Sequence, residues 1–425
     1  MITNEGAVDA LNSSRISLSG WKAFLTVMGP GLVVMLADTD VGSIITAAQS
    51  GVQWGYRLLL LQVLLMPVLY IVQELTVRLG IFTGKGHGEL IRKTFGNGWA
   101  WVSVSGLGVA TIGALITEFS GVAGVGELFG VPRVVSLSIV TVLLLAVVLT
   151  GSYRRVERVA IALGLFELAF FVVAWRAHPQ GAELARGLAR MPLKDSAYLY
   201  LVAANIGAVI MPWMIFYQQS AVADKKLRPG DYRLAKWDTA IGSVIAQAVM
   251  AAVLIAAAAT IGRTHAAAGA SLNSIGDITK MLVPVLGSTV GRVVFGFGTI
   301  GAGLVAAIVV SLASAWGFGE VTGYRHSLEH HPLEAPWFYG IYAVAVIGGA
   351  IIVDLVPNLV ALNIGVEVMN ALMLPIVLGF LVALAFKALP AEHRLRGPYA
   401  WLVVGMSILT AGLGVYGGLT GVHLL

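Results

Sequence analysis

Eleven apolar segments, each long enough to cross a lipid bilayer as a helix, follow one another along the chain. They lie near 23–49, 55–80, 99–122, 133–150, 156–176, 197–220, 237–261, 288–318, 335–354, 359–388 and 398–422. A helix needs about 20 mostly apolar residues to cross the hydrocarbon core. A chain of 425 residues that is 58% hydrophobic and only 12% charged cannot hide so much apolar surface in a water-soluble core. The sequence therefore predicts an all-α integral membrane protein with about eleven transmembrane helices.

The basic residues indicate how these helices are oriented. If the chain starts in the cytoplasm, 18 of its 27 Lys and Arg lie in cytoplasmic segments, and such an excess marks the cytoplasmic side. We therefore expect residues 1–22 to form a cytoplasmic N-terminal segment and the C-terminus to lie outside. The expected location is a bacterial inner (plasma) membrane. Because the chain has no cysteine, disulfides and thiolate metal sites are excluded.

Two of the eleven helices contain residues that interrupt a helix. The first contains "DTDVGS" at 38–43, and the sixth contains "NIGAVIMPWM" at 205–214. Proline removes a backbone donor and glycine loosens a turn, so either interruption can be a packing kink. Broken helices at matching places in two halves also mark the substrate site of transporters, because unwound backbone frees carbonyl oxygens for a cation. Asp38 and Asp40 in the first break favour a cation site.

Other classes of function have less support. An intramembrane metalloprotease needs a motif such as His-Glu-x-x-His and a nucleotide-driven pump needs a Walker sequence, and the chain contains neither. We predict that the protein is not an enzyme, has no cofactor and binds no nucleic acid. An amino-acid or other organic-solute carrier stays an alternative, although the acids in the first break argue against it.

Four stretches of the chain resemble the Nramp family of divalent-metal transporters: "GPGLVVMLADTDVGS", "GVQWGYRLLL", "QELTVRLGIFTGKGHGEL" and "NIGAVIMPWMIFYQQSA". The resemblance implies a leucine-transporter-like fold with two inverted five-helix repeats and broken helices 1 and 6. It places the first repeat at 23–176, the second at 177–388 and an appended helix at 389–425. It also implies import of a divalent metal ion by alternating access, with the ion and the lipid bilayer as partners and no obligatory protein partner.

The resemblance assigns a metal site to the two breaks. The family's Asp-Pro-Gly-Asn motif falls on "DVGS" at 40–43, and its Met-Pro-His motif falls on "MPW" at 211–213. The implied ligands are the side chains of Asp40, Ser43 and Met211 and the carbonyl oxygen of Ala208. Asp40 has an alternative role as a helix cap, and Met211 has one as a flexible packing residue.

Departures from the family pattern bear on which ion is carried. Trp213 replaces a histidine that serves the proton path in the family, and an indole cannot titrate or relay protons. Glu118 is the one acid in helix three where the family has a pair. Asp38 and Glu367 add carboxylates near the site, and hard oxygen ligands suit Mg²⁺.

This pattern resembles the Nramp-related magnesium transporters, in which the proton-coupling residues are lost. We therefore expect Mg²⁺ to be favoured, Mn²⁺ also to be carried, and transport not to be coupled to protons. A proton-coupled Mn²⁺/Fe²⁺ importer is the alternative.

Other polar residues have both functional and structural interpretations. Asp38 is a ligand, a cap for the break, or a charge that acts on the ion through water, which we favour. Glu367 completes the metal shell or pairs with a neighbour. Four amides either line the pathway or hydrogen-bond between helices: Gln218, Gln219, Gln247 and Asn370.

Two charged clusters are expected to be structural. Glu74 and Arg78 lie four residues apart on helix two and should form an ion pair. His326, His330 and His331 in "YRHSLEHHP" should form a solvated cytoplasmic turn.

Overall fold

The computed structural model describes residues 29–150, 155, 158, 162, 168–264, 272, 275–278, 287–324, 332–356 and 359–422. Within these ranges the regular structure is helical throughout and contains no strand. The main helices are α1 (Pro30–Asp38), α2 (Val41–Trp54), α3 (Leu59–Thr83), α4 (His87–Phe95), α5 (Asn97–Leu128), α6 (Arg133–Val148), α7 (Ala169–Arg176), α8 (Gly181–Ala189), α9 (Ser196–Val209), α10 (Pro212–Asp224), α11 (Tyr232–Thr264), α12 (Ser288–Thr322), α13 (Pro336–Leu355), α14 (Leu359–Lys387) and α15 (Gly397–Val422). The prediction of an all-α protein is confirmed.

Eight helical segments of the described chain are long and apolar enough to cross a membrane, judged by length and composition. One of them, Val41–Thr83, holds both α2 and α3, and the shorter α6 is also apolar. About half of the predicted fifth helix and the three histidines at 326–331 lie outside the described residues. The number of eleven spans therefore stays a prediction.

Two short helices, α4 and α8, were not predicted. Each has nine residues, too few to cross a bilayer, and a search for long apolar segments passes over them. α4 carries Glu89 in its first turn and Arg92 and Lys93 in its last, which matches the helix dipole at both ends. It forms a polar connection between two membrane helices.

The first predicted break lies where the sequence placed it. α1 ends at Asp38 and α2 begins at Val41, with Thr39 and Asp40 between them. Asp40 is the N-cap of α2, and its Oδ1 accepts a hydrogen bond from the Ser43 amide at 2.7 Å. The cap supplies an acceptor to an amide that the break leaves free.

The second predicted break separates α9 from α10. α9 ends at Val209, and Ile210 and Met211 follow before α10 begins at Pro212. Met211 has an extended backbone, with φ −100° and ψ 144°. Proline fits the first position of the new helix because that position needs no amide donor.

Glycines let α14 approach both breaks. A Cβ on Gly42 would collide with the Glu367 carboxylate, and a Cβ on Gly207 would collide with the Glu367 carbonyl. Because glycine has no side chain at these two positions, α14 packs closely against both α2 and α9. From another side, Asp238 of α11 accepts a hydrogen bond from the Gly31 amide at 2.9 Å and so holds the start of α1.

Candidate metal site

Four acidic side chains converge on the first helix break, and each is at most 1% exposed. They are Asp38, Asp40, Glu118 and Glu367. Asp40 and Glu118 are electrostatic neighbours, and Asp38 has Asp40 and Glu367 as its electrostatic neighbours. In the described part of the chain none of the four forms an ion pair with a basic side chain. Buried acids without a basic partner make an environment that favours a cation.

Asp40 has one oxygen engaged and one available. Oδ1 caps α2, whereas Oδ2 receives no hydrogen bond from a donor. The cap and ligand roles therefore do not compete, because each uses a different oxygen of the same carboxylate.

Ser43 and Ala208 bring the two breaks into contact. The Ser43 hydroxyl of α2 donates a hydrogen bond to the Ala208 carbonyl of α9 at 3.0 Å. Both belong to the ligand set that the family resemblance implies. The hydroxyl oxygen still has lone pairs for an ion after it has donated its hydrogen.

Met211 and Trp213 meet at the second break. The Trp213 indole nitrogen donates a hydrogen bond to the Met211 sulfur at 3.1 Å, and neither residue has any exposed surface. The residue that replaces the family's histidine therefore bonds the thioether of the same motif.

Glu118 supports the start of α2. Its Oε2 accepts a hydrogen bond from the Val41 amide at 3.2 Å, one residue after Asp40. Glu118 and Asp40 therefore both receive amides of the first turn of α2, where the helix dipole favours negative charge. The sequence indicated Glu118 only as the one acid of helix three, close to the pathway but not among the implied ligands.

Three more polar residues contribute unpartnered oxygen atoms. Glu367 Oε2 accepts from the Asn370 amide at 3.1 Å, while its Oε1 has no donor. Both carboxylate oxygens of Asp38 lack a donor, so Asp38 does not cap the break. The buried amide of Gln247 has no hydrogen-bond partner for either of its atoms.

The position of Gln247 follows from how α1 and α11 run together. Gly31 lies against Asp238, and Met35 lies against Gly242. One turn further in the same register brings 245–247 level with 38–40. This register places Gln247 on the turn of α11 that is level with the first break.

The site is not a closed cage of protein side chains. Within the described residues, no group of three His, Asp or Glu side chains is placed to hold an ion by itself. An ion at Asp40 would keep part of its water shell and would use hydroxyl and carbonyl oxygens. This is how Mg²⁺ is commonly bound, because it gives up its water reluctantly.

Three of the polar residues that the sequence analysis discussed form structural contacts away from the first break, together with Arg78. Glu74 and Arg78 form the predicted ion pair at 2.8 Å. Gln218 donates to Thr239 at 3.0 Å and Gln219 donates to the Lys85 carbonyl at 3.0 Å, so both link helices or their connections.

Sequence reasoning missed two further buried acids. Asp238 caps α1, and Glu320 accepts hydrogen bonds from the Ser220 hydroxyl and the Gly88 amide. Asp238 stands near the start of an apolar segment and Glu320 just past the end of another. An acid at the edge of an apolar segment was the signal that could have found them.

Two broken helices that meet around buried acids, in a bundle of apolar helices, define an integral membrane transporter of the leucine-transporter-like fold. The model of the Nramp family, described as natural resistance-associated macrophage protein-like, matches residues 31–420. The chain belongs to the Nramp family.

Known relatives agree with this assignment. The divalent metal cation transporter MntH of Klebsiella pneumoniae (strain 342) is 28% identical over 440 residues, which cover 97% of this chain and 100% of the relative. It is named as a transporter, in agreement with the prediction that the protein is not an enzyme.

Solved structures share the fold. The Eremococcus coleocola manganese transporter, crystallised with an aromatic bis-isothiourea substituted compound, is 21% identical with a TM-score of 0.78, covering 95% of this chain and 87% of that chain. MhsT in complex with L-phenylalanine is 14% identical with a TM-score of 0.62, covering 96% of this chain and 100% of that chain. The prediction of a leucine-transporter-like fold is confirmed.

Proposed function

We propose that the protein imports divalent metal cations by alternating access, with Mg²⁺ favoured and Mn²⁺ also carried, and without coupling to protons. The observation that carries the proposal is the free Asp40 Oδ2 beside the Ser43–Ala208 contact, inside a cluster of acids without basic partners. Asp40, Ser43 and the Ala208 carbonyl supply the oxygen ligands. Asp38, Glu367 and Gln247 act on the ion through its remaining water.

The preference for Mg²⁺ rests on the chemistry of the available donors. The unpartnered atoms at the break include carboxylate oxygens of Asp38, Asp40 and Glu367, whereas the Met211 sulfur already accepts the Trp213 hydrogen bond. Hard oxygen ligands and retained water suit Mg²⁺, and free thioether sulfur suits softer metals.

The absence of proton coupling rests on Trp213. Without a histidine at this position, the ion gradient and the membrane potential can drive import. Each charge gains about 2.3 kcal/mol per 100 mV, so a dication gains roughly 4.6 kcal/mol.

A proton-coupled Mn²⁺/Fe²⁺ importer is the second candidate. The names of the relatives favour it, since they describe divalent metal and manganese transporters. Glu118 beside Asp40 also keeps an acid where a proton can be exchanged. An organic-solute carrier fits less well, because an acidic cluster repels a substrate carboxylate.

Topology and membrane location belong to the same proposal. We place the N-terminus in the cytoplasm and the C-terminus outside a bacterial inner membrane, with 23–176 and 177–388 as inverted repeats. The basic residues of the cytoplasmic segments support this orientation.

Asp40→Asn tests the site in proteoliposomes. The amide oxygen can still accept from Ser43, so the helix cap is kept while the charge is lost. We expect uptake of both Mg²⁺ and Mn²⁺ to fall to background. Asp195→Asn is the matched control, because Asp195 is an exposed N-cap of α9 that accepts from Ala197 at 2.9 Å. Near-normal uptake by Asp40→Asn would remove Asp40 from the metal site.

A further inference from the structure

The Met211 sulfur is bonded within the protein. The Trp213 Nε1 to Met211 Sδ distance is 3.1 Å. Met211 is the extended N-cap residue of α10, and Trp213 lies in the first turn of that helix. Both side chains are fully buried.

This hydrogen bond changes what the sulfur can offer an ion. A thioether binds metal through a lone pair on sulfur, and the indole N–H, which can only donate, occupies one of the two lone pairs of the Met211 sulfur. A cation that binds the same sulfur also meets the positive end of the N–H dipole. The hydrogen bond therefore weakens the sulfur as a ligand, whereas Asp40 Oδ2 receives no hydrogen bond that opposes an ion.

We propose that Trp213 is a specificity-determining residue: its indole N–H withholds the Met211 thioether from the ion, so the site selects by oxygen ligands. The inference rests on the proposed divalent-cation site. It adds the reason why soft cations, which thioether sulfur would otherwise favour, do not bind more tightly there. Trp213 thus lowers the affinity of this site for softer ions such as Cd²⁺ relative to its affinity for Mg²⁺.

Binding of Mg²⁺ and Cd²⁺ to the purified full-length protein in detergent, followed by calorimetry, tests this inference apart from transport. Trp213→Phe keeps an aromatic ring but removes the donor. We expect it to raise the affinity for Cd²⁺ relative to Mg²⁺ about tenfold, as expected when one hydrogen bond no longer opposes sulfur ligation. In a Met211→Leu background, Trp213→Phe should leave the Cd²⁺ to Mg²⁺ ratio unchanged.

The single variant Met211→Leu tests the inference even if Trp213→Phe fails to fold. Because the sulfur is already engaged, we expect this variant to change Cd²⁺ and Mg²⁺ affinity by the same small factor. A selective loss of Cd²⁺ affinity would overturn the inference, because the sulfur would then be a ligand in the native site. An unchanged ratio in a folded Trp213→Phe, or the same change in both backgrounds, would also overturn it. These outcomes leave the proposed function intact, whereas failure of the native protein to bind either cation would overturn both.

Discussion

The Ser43 hydroxyl donates a hydrogen bond to the Ala208 carbonyl at 3.0 Å, across a separation of 165 positions in sequence. It joins α2 to α9 at the two breaks and sets two oxygen atoms side by side. Neither half of the chain forms this arrangement alone. The proposed metal site therefore depends on how the two breaks are held together.

Removing the Ser43 hydroxyl should weaken the site without removing its charge. Ser43→Ala takes one oxygen from the ion and leaves the Ala208 carbonyl without this donor. We expect uptake of Mg²⁺ into proteoliposomes to fall about tenfold, the effect of one lost buried polar contact. Thr420→Ala is the control, since that partly exposed hydroxyl donates only within α15. Equal uptake by both variants would exclude Ser43 as a ligand.

Gly42 should be intolerant of a side chain because of Glu367. In Gly42→Ala the new Cβ collides with the Glu367 carboxylate, and overpacking of this kind costs about 1–3 kcal/mol. We expect a lower melting temperature in detergent. The control Gly405→Ala has open space around its Cβ and should be neutral or stabilising.

The cause of that destabilisation is tested by a double mutant. In a Glu367→Ala background, Gly42→Ala should cost much less, because the colliding carboxylate is gone. A cost of the same size in both backgrounds would mean that α14 does not approach Gly42 in this way.

His87 should make stability depend on pH. It lies in α4, between membrane helices, and its Nδ1 is 2.8 Å from the Gln219 side-chain oxygen. Burial lowers the pKa of His87 to about 4, below the value of about 6.5 expected in the unfolded chain. The buried neutral form is favoured above pH 6.5, and its contribution is lost as the pH falls from 6.5 towards 4.

The expected loss of stability between pH 7 and pH 4 is about 3 kcal/mol. The melting temperature should therefore fall more steeply between pH 7 and pH 4 in the native protein than in His87→Gln, which cannot titrate. Identical pH profiles would contradict a buried neutral His87.

The sequence allowed the positions of the breaks to be predicted because their causes are local. Pro212 fixes where α10 begins. Asp40 caps α2 by accepting a hydrogen bond from the amide of Ser43, three residues further along the chain. The resemblance to a family then paired Ser43 with Ala208, which no local pattern could do. By contrast, the bond between Trp213 and Met211 depends on side-chain rotamers, which a spacing of two residues does not determine.

Contacts between distant helices were also beyond the sequence. Glu118 accepts a hydrogen bond from the Val41 amide, which lies 77 positions away in sequence. Asp238 accepts one from the Gly31 amide, 207 positions away. Such pairs depend on helix packing, which the apolar pattern of a membrane helix leaves undetermined. The short helices α4 and α8 were missed because a search for membrane helices looks for long apolar segments. Both helices have nine residues and carry polar as well as apolar side chains.

The first measurement to make is a paired recording of Mg²⁺ and pH in proteoliposomes. An indicator for Mg²⁺ and a pH dye are enclosed together, an inward Mg²⁺ gradient is applied, and Mn²⁺ is added outside as a competitor. We expect Mg²⁺ to enter, Mn²⁺ to slow its entry, and the internal pH to stay constant. Entry of Mn²⁺ but not of Mg²⁺, with acidification in proportion to the metal carried, would contradict the proposal and identify a proton-coupled manganese importer.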